Sequence, residues 1–513
     1  MNACPALLRC CLATLLLATL AVPAPAQEPS RLARAVADYA RATYAGDTVS
    51  TLADLVAFAT VNEEGTANAD DPNFRAMSAY LGRLATKLGL DFADHGAVVV
   101  VGLGDAPSRL GVITHGDVQP ADASKWAQDP FRLDVASEPG KLIGRGTEDD
   151  KGPIATALYA MAALRDRQVP LQRRIELIIS YTEESDWEPF ETFVAAHPPP
   201  DLNVAIDSDY PVVVAEKGWC SVYLTVPAPS PAAAAASDQP VLVSFTGGSF
   251  LSQIPEDAEA RIEHSTPDLE RTLLAAARRQ PEIRFRFEPG ADSLRVSARG
   301  LAAHSSTPWA GRNAITHLAA LLGSFEAWAD TPAARMVHLV NDLVGTGDYG
   351  EKFGDVAYEH PFMGKLTLAL DTLETEPGGG LKAGINLRRP VGRSREEVEA
   401  SVSQAVEAWQ QRTGLGPLDV DMDIGDPYYL ADAPHIPVLL GIFRAYTGQA
   451  DAAPISIGGG TQARLVPYGV NFGPAMPGAV YTGHTEHEFI TRDQLLLNLE
   501  MYTAMLVELA GAH

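Results

Sequence analysis

Residues 144–153 read Gly-Arg-Gly-Thr-Glu-Asp-Asp-Lys-Gly-Pro. Gly144 and Gly146 allow a tight backbone ahead of the acidic pair Asp149 and Asp150, and Pro153 suits the first turn of a helix. The residues that follow place Ile154, Leu158, Met161 and Ala162 on one helical face. Carboxylates at a helix N-terminus are ordinarily explained as partners of the helix dipole. That accounts for the acidity here but not for the glycines that frame it. On either side lie short, β-branched runs bounded by turn residues, at 98–101 and 110–113 before the string and at 175–180 and 203–206 after it. Strand–helix–strand order predicts an α/β domain with a mostly parallel sheet covered by helices.

Further out, Leu32, Ala35, Val36, Tyr39 and Ala40 fit one face of a helix, and a second helix is expected over 77–88. The rhythm breaks after Gly218. Residues 227–240 include a run of alanines among prolines and read as an exposed, low-complexity loop. Expected strands at 242–245, 284–288, 294–298 and 382–388 then mix with long helices at 313–327 and 395–411. This α+β pattern marks an inserted domain over 219–426. Helix and short strand return from 427, so 27–218 and 427–513 are expected to form one domain around the insertion.

The bulk properties agree with that division, since 513 residues exceed one ordinary core. Hydrophobic residues at 46% and charged residues at 20% fit a globular chain. A net charge of −26 argues against nucleic acid or an anionic membrane surface as partner. At the N-terminus, Arg9 precedes an apolar run over 11–22 and then Ala24-Pro25-Ala26, so residues 1–26 read as a signal peptide cleaved near Ala26. The run is short for a membrane span, which needs about 20 apolar residues; an exported protein, periplasmic or secreted, is expected without stable membrane insertion. Cys4, Cys10 and Cys11 would leave with that peptide. Cys220 then has no partner for a bridge and is expected to be a buried small residue.

Several polar clusters fall at strand ends, where an open parallel sheet collects its functional groups. His115 and Asp117 follow the run at 110–113, and Asp117 could fix the tautomer of His115 through its second ring nitrogen. Glu183 and Glu184 end the run at 175–180; adjacent glutamates repel, so a cation should compensate them. Asp207 and Asp209 follow 203–206, and His484 lies in a glycine-rich segment near the C-terminus. Singly, each has a bland reading as a solvated loop or a chance pair. Together they form an imidazole and carboxylate set without thiolate, which suits catalytic zinc, cobalt or manganese. Two such ions could share one bridging carboxylate, with a free carboxylate beside them as general base.

These residues resemble those of the co-catalytic dizinc hydrolases, a family that includes bacterial dipeptidases, carnosinases, aminoacylases and glutamate carboxypeptidases. The string at 144–153 is most similar to that of the peptidase V-like dipeptidases, and the likeness extends over essentially the whole mature chain. The resemblance implies a zinc-exopeptidase-like catalytic domain with a lid inserted in it. It implies two Zn2+ (Co2+ or Mn2+ as substitutes), with His115 and Asp207 on one ion, Glu184 and His484 on the other, and Asp149 bridging. Asp209 is the alternative to Asp207. Glu183 would be the general base and acid, and Asp117 the orienting partner of His115. In the lid, residues 301–308 resemble the motif whose histidine, His304, helps to hold the developing oxyanion. Residues 386–390 resemble the motif whose arginine, Arg388, pairs with the substrate carboxylate, a role suited to its planar fork. Gly459, Gly460 and Thr461 fall in a stretch similar to the loop that brings backbone N–H groups to the same carboxylate. One departure is Ser252, which stands where the family has Asn, with Gln253 beside it.

The implied activity is hydrolysis of the amide bond of dipeptides, with a small peptide as partner and a homodimer through the lid as a further expectation. An N-acyl-amino-acid deacylase shares the same zinc motifs. A free substrate amine would favour acidic neighbours such as Asp150 or Asp209, which an acyl group does not need. A non-catalytic periplasmic metal or peptide carrier would have no use for Glu183 beside the metal pair.

Overall fold

The computed structural model describes residues 27–63, 65–68, 70–228 and 239–512. The signal peptide expected at 1–26 and residues 229–238 of the low-complexity loop lie outside the described residues. No helix among those described is long and apolar enough to cross a membrane.

Strand β1 (Ser108–His115) is buried from Leu110 onward and lies between β2 (Arg173–Ser180) and β3 (Leu202–Ala205), parallel to both. Its continuous apolar run reflects cover on both faces. β3 also runs parallel to Val470–Asn471, and β4 (Val213–Glu216) to Ile455–Ile457. Within this sheet, parallel pairing among the described residues is confined to these places; a separate parallel pair joins Ser208–Asp209 to Pro474–Ala475. At the margins, Asp91–Asp94, Val98–Leu103 and Tyr428–Tyr429 pair antiparallel with their neighbours. The first two are joined too tightly for the crossover that a parallel pair requires.

Helix α1 (Arg31–Val56), α2 (Lys151–Asp166), α3 (Ile436–Thr447) and α4 (Arg492–Ala510) cover this sheet. α2 is buried on every side from Lys151 to Leu164, rather than along the single face expected. It is held between the sheet and helices α1 and α4, and its alanine-rich surface leaves no polar stripe to expose. α1 is also turned relative to expectation. Ala33, Val36, Ala37 and Ala40 are buried while Leu32 is exposed, because small residues let α1 approach α2 closely.

Strands β5 (Gly218–Val226) and β6 (Leu381–Arg389) belong to a second, wholly antiparallel sheet. Its eight strands run Arg284–Pro289, Ser293–Arg299, Asp257–Glu263, Val241–Gly247, Thr367–Thr375, β6, β5, Asp419–Ile424. The helix expected over 313–327 stops at Leu322 before Gly323, and that over 395–411 extends to Thr413, closed by a Ser394–Glu397 capping box and left-handed Gly414. Cys220 is buried on β5, and burial pushes its thiol up to about 11.

The chain enters this sheet at Gly218 and leaves it after Ile424. A Cβ on Gly218 would lie 2.3 Å from the carbonyl oxygen of Gly425, and one on Gly425 2.2 Å from that of Trp219. The two crossing segments therefore meet backbone to backbone, which only glycine permits.

His435, ahead of α3, ties that helix to the sheet by donating from Nε2 to the carbonyl of Asn203 at 3.2 Å. Burial depresses its imidazole to about 4, against an unfolded value near 6.5. The unfolded chain binds more protons between those values, so His435 costs stability as pH falls through that window, about 3 kcal/mol by pH 4. His435→Gln, which keeps a donor and loses the titration, is expected to destabilise less than the parent on going from pH 7 to pH 4. Parallel denaturation curves for the two proteins would contradict this.

Candidate active site

Three parallel strands end side by side, and their carboxyl ends carry His115, Glu183 with Glu184, and Asp207. β1 and β2 are in register to the last residue, His115 opposite Ser180, and the N–H of Gly116 donates to Ser180 at 2.8 Å. Asp149 arrives from the loop before α2. That loop needs its glycines. Gly146 has φ +82°, and a Cβ on Gly152 would sit 2.4 Å from the carbonyl oxygen of Thr147.

Asp149 stands between the two histidines. Its Oδ1 lies 2.8 Å from His115 Nε2 and its Oδ2 3.1 Å from His484 Nε2. Asp207 completes the first side at 3.3 Å from His115 Nε2, and Glu184 the second at 3.0 Å from His484 Nε2. Ligand atoms of His115, Asp149 and Asp207 all lie within 4.8 Å of one another, as do those of Asp149, Glu184 and His484. Asp149 is common to both groups. Asp207, not Asp209, faces His115. The donor set is imidazole and carboxylate in two adjoining triads, which fits a pair of zinc, cobalt or manganese ions.

The charges confirm how tightly these groups interact. Burial raises the carboxyl of Asp149, but His115 and His484 outweigh it and hold Asp149 well below the usual range. Burial lowers His484, but Glu184 and Asp149 raise it to about 10. Asp207 is pushed up to about 6 mainly by burial. Glu183 borders the same cavity without belonging to either triad, and burial, then the charge of Asp207, raise its carboxyl well above normal.

Asp117 does more than its sequence position suggested. His115 Nδ1 lies 3.0 Å from the Asp117 carbonyl and 3.5 Å from its carboxylate, leaving Nε2 toward Asp149. The same carboxylate accepts the N–H groups of Glu183 (3.2 Å) and Glu184 (3.0 Å) and the amide of Asn62 (2.8 Å). One buried side chain thus positions His115 and the two glutamates together.

Other contributors went unrecognised in the sequence. Tyr481 donates its hydroxyl to Asp149, and Gln119 donates to Glu184 at 3.0 Å. Glu488 is fully buried, pairs with Arg145 at 2.8 Å, and accepts the N–H groups of Glu148 (3.0 Å) and Asp149 (3.2 Å). It therefore ties the segment bearing His484 to the loop bearing Asp149. Its only signal in the sequence was a place in the His484–Glu488 stretch, shared with Glu486.

Arg388 on β6 and His304, on a short strand paired with Gln253–Ile254, reach the same cavity, whose volume is about 980 Å³. The rings of His304 and His484 are 5.2 Å apart. Backbone N–H of Ser306 donates to His304 Nδ1 at 3.2 Å, so the ring proton resides on Nε2. Burial, then the charges of His484 and Arg388, hold His304 well below its usual range and therefore neutral. Arg388 is fixed by Asn386 (2.8 Å) and by Ser252 (3.2 Å). Ser252 thus supports the arginine, while Gln253 donates to the carbonyl of His484 at 3.3 Å.

Two expectations change. Thr461 borders the cavity, but its N–H and hydroxyl both donate to buried Glu216, at 3.1 and 2.7 Å. Of the three loop residues, Gly459 and Gly460 have N–H groups with no hydrogen-bond partner among the described residues. Asp150 does not face the cavity as an amine partner would; it is fully buried, accepting from Thr114 and from the N–H of His115. Asp209 does border the cavity, and burial pushes it up to about 6.

Comparison with known proteins places this arrangement. Residues 111–508 match the model of peptidase family M20/M25/M40. YtjP of Bacillus subtilis (strain 168) is 33% identical over 417 residues, covering 79% of this chain and 84% of that protein. The Beta-Ala-Xaa dipeptidase of Lactobacillus delbrueckii subsp. lactis is 29% identical over 441 residues, with coverage of 85% and 89%. Among solved structures, human carnosine dipeptidase 1 shares the fold with TM-score 0.58 at 19% identity, over 94% of this chain and 99% of that one.

Proposed function

Since the chain belongs to peptidase family M20/M25/M40, we propose that it is an exported dipeptidase that works with two zinc ions. The observation that carries this reading is the sharing of Asp149 by two ligand triads, with Glu183 left free beside them and Arg388 in the same cavity. His115, Asp149 and Asp207 would hold one ion, and Asp149, Glu184 and His484 the other. Ions held there supply Lewis-acid polarisation of the scissile carbonyl and of the attacking water.

The protein's own groups do the rest. Glu183 takes a proton from water onto its carboxylate as the water oxygen bonds to the carbonyl carbon. The same proton passes to the amine nitrogen as the C–N bond breaks. His304 donates from Nε2 to the oxyanion, a contribution commonly worth about 3–4 kcal/mol. Arg388, with the N–H groups of Gly459 and Gly460, holds the substrate's terminal carboxylate. Asp209 supplies a cavity-facing carboxylate for a free α-amine, which favours a dipeptide over an N-acyl amino acid. His304 and His484, with rings 5.2 Å apart, lie in one chain, so the proposed site draws both histidines from a single copy. Export rests on residues 1–26 of the sequence.

The test is a panel of dipeptides and N-acetyl amino acids, assayed on the zinc-loaded protein and again after chelation. Dipeptides are expected to be cleaved at least about tenfold more efficiently, because an acyl group leaves Asp209 unpaired. Chelation should abolish activity, and zinc, cobalt or manganese should restore it. Preference for N-acetyl amino acids would replace this reading with the deacylase, and tight metal binding without hydrolysis would replace it with a carrier.

A further inference from the structure

Lys217 lies at the crossing between the two sheets and has not entered the mechanism. It is 6% exposed and borders the cavity. Its N–H donates to Ile457 at 3.2 Å, which places it beside the Gly459–Gly460 loop. On the other side, Arg388 pairs with Trp219 in the β5–β6 register, two residues from Lys217. Lys217 therefore adjoins both groups proposed to hold the terminal carboxylate.

Its ammonium donates to the carbonyl of Lys365 and forms no ion pair among the described residues. Burial, then the charge of Arg388, lower it to about 8. Among the described residues no carboxylate pairs with Lys217, and those that act on Arg388 are Asp371 and, more weakly, Glu183. Glu216 is occupied by Arg464, Thr461 and Asn471, and exposed Glu359 forms no ion pair with Lys217. Asp371, behind Arg388, accepts the N–H of Ser252 at 3.0 Å, and its charge acts on Arg388. Burying an ammonium without a counter-charge is costly unless a ligand supplies one. One terminal carboxylate carries one charge, and two buried cations face it.

We infer that Lys217 forms a subsite for an acidic side chain on the C-terminal residue, so that the preferred substrates are dipeptides ending in glutamate or aspartate. This rests on the dipeptidase reading above. The α-carboxylate occupies Arg388 and the glycine loop, and the side-chain carboxylate meets Lys217.

Ala-Glu and Ala-Gln differ in charge but hardly in shape, so their kcat/KM ratio on the zinc-loaded protein isolates this contact. The expected ratio is about ten or more in favour of Ala-Glu. Lys217→Met should bring the ratio close to one, and Lys217→Arg should retain most of it. A wild-type ratio near or below one overturns the subsite. So does Lys217→Met lowering both substrates in equal proportion, the outcome expected if Lys217 grips the α-carboxylate or merely supports the fold. Should that variant fail to fold, the wild-type ratio decides. Absence of hydrolysis for Ala-Glu, Ala-Gln and Ala-Ala alike overturns the dipeptidase reading itself, whereas hydrolysis without charge preference overturns only the subsite.

Discussion

Glu183→Gln is expected to lower kcat by about 10²–10⁴-fold while the protein keeps its full complement of zinc. The carboxylate borders the cavity but belongs to neither ligand triad, so its loss removes a proton carrier and no metal contact. Glutamine preserves the size of the side chain. The backbone N–H of residue 183 would still donate to Asp117, and its carbonyl would still accept from Trp187. Metal analysis beside steady-state kinetics reads both halves. Activity within a few-fold of the parent would remove Glu183 from the mechanism, and loss of zinc would make it a ligand.

Asp149→Ala is expected to fail in the opposite way, losing metal first. Asp149 is the one side chain in both triads, so its removal takes a ligand from each ion. It also leaves His115 and His484 without the carboxylate that lies 2.8 and 3.1 Å from them. The variant should retain well under one zinc per chain after dialysis and show no measurable turnover. His484→Ala provides the contrast, because it strips one triad and leaves His115, Asp149 and Asp207 intact. Equal zinc content in the two variants would mean that Asp149 does not bridge.

Much of this site could be read at strand ends. His115, Glu183, Glu184 and Asp207 each follow a short apolar run, and parallel strands bring their carboxyl ends to one edge. Asp149 was marked by Gly144 and Gly146 ahead of it, a need that is physical at Gly146, with φ +82°; Gly152 adds a second such position that only the structure showed. What could not be read depends on contacts between distant segments. Glu486 and Glu488 are two residues apart and alike in sequence. Glu488 is buried under Asp149, while Glu486 lies 3.6 Å from Lys125 with its side chain 26% exposed. Thr461 was expected to offer its N–H to substrate, but Glu216, 245 residues earlier, already accepts it. The buried face of α1 was misplaced for a related reason, since its partner is another helix whose small residues set the approach.

The sequence alone determined the chemistry available: imidazoles and carboxylates without thiolates, placed where strands end, with a second domain inserted among them. Residue type and strand periodicity are local properties, and they survive without a fold. Which oxygen faces which nitrogen was decided only by tertiary structure. Asp207 was chosen over Asp209, Asp150 was withdrawn from the cavity, and Lys217 was left beside Arg388 without a counter-charge. Each outcome turns on separations of a few ångströms between segments far apart in the chain. Packing sets those separations, and no spacing along the sequence encodes them.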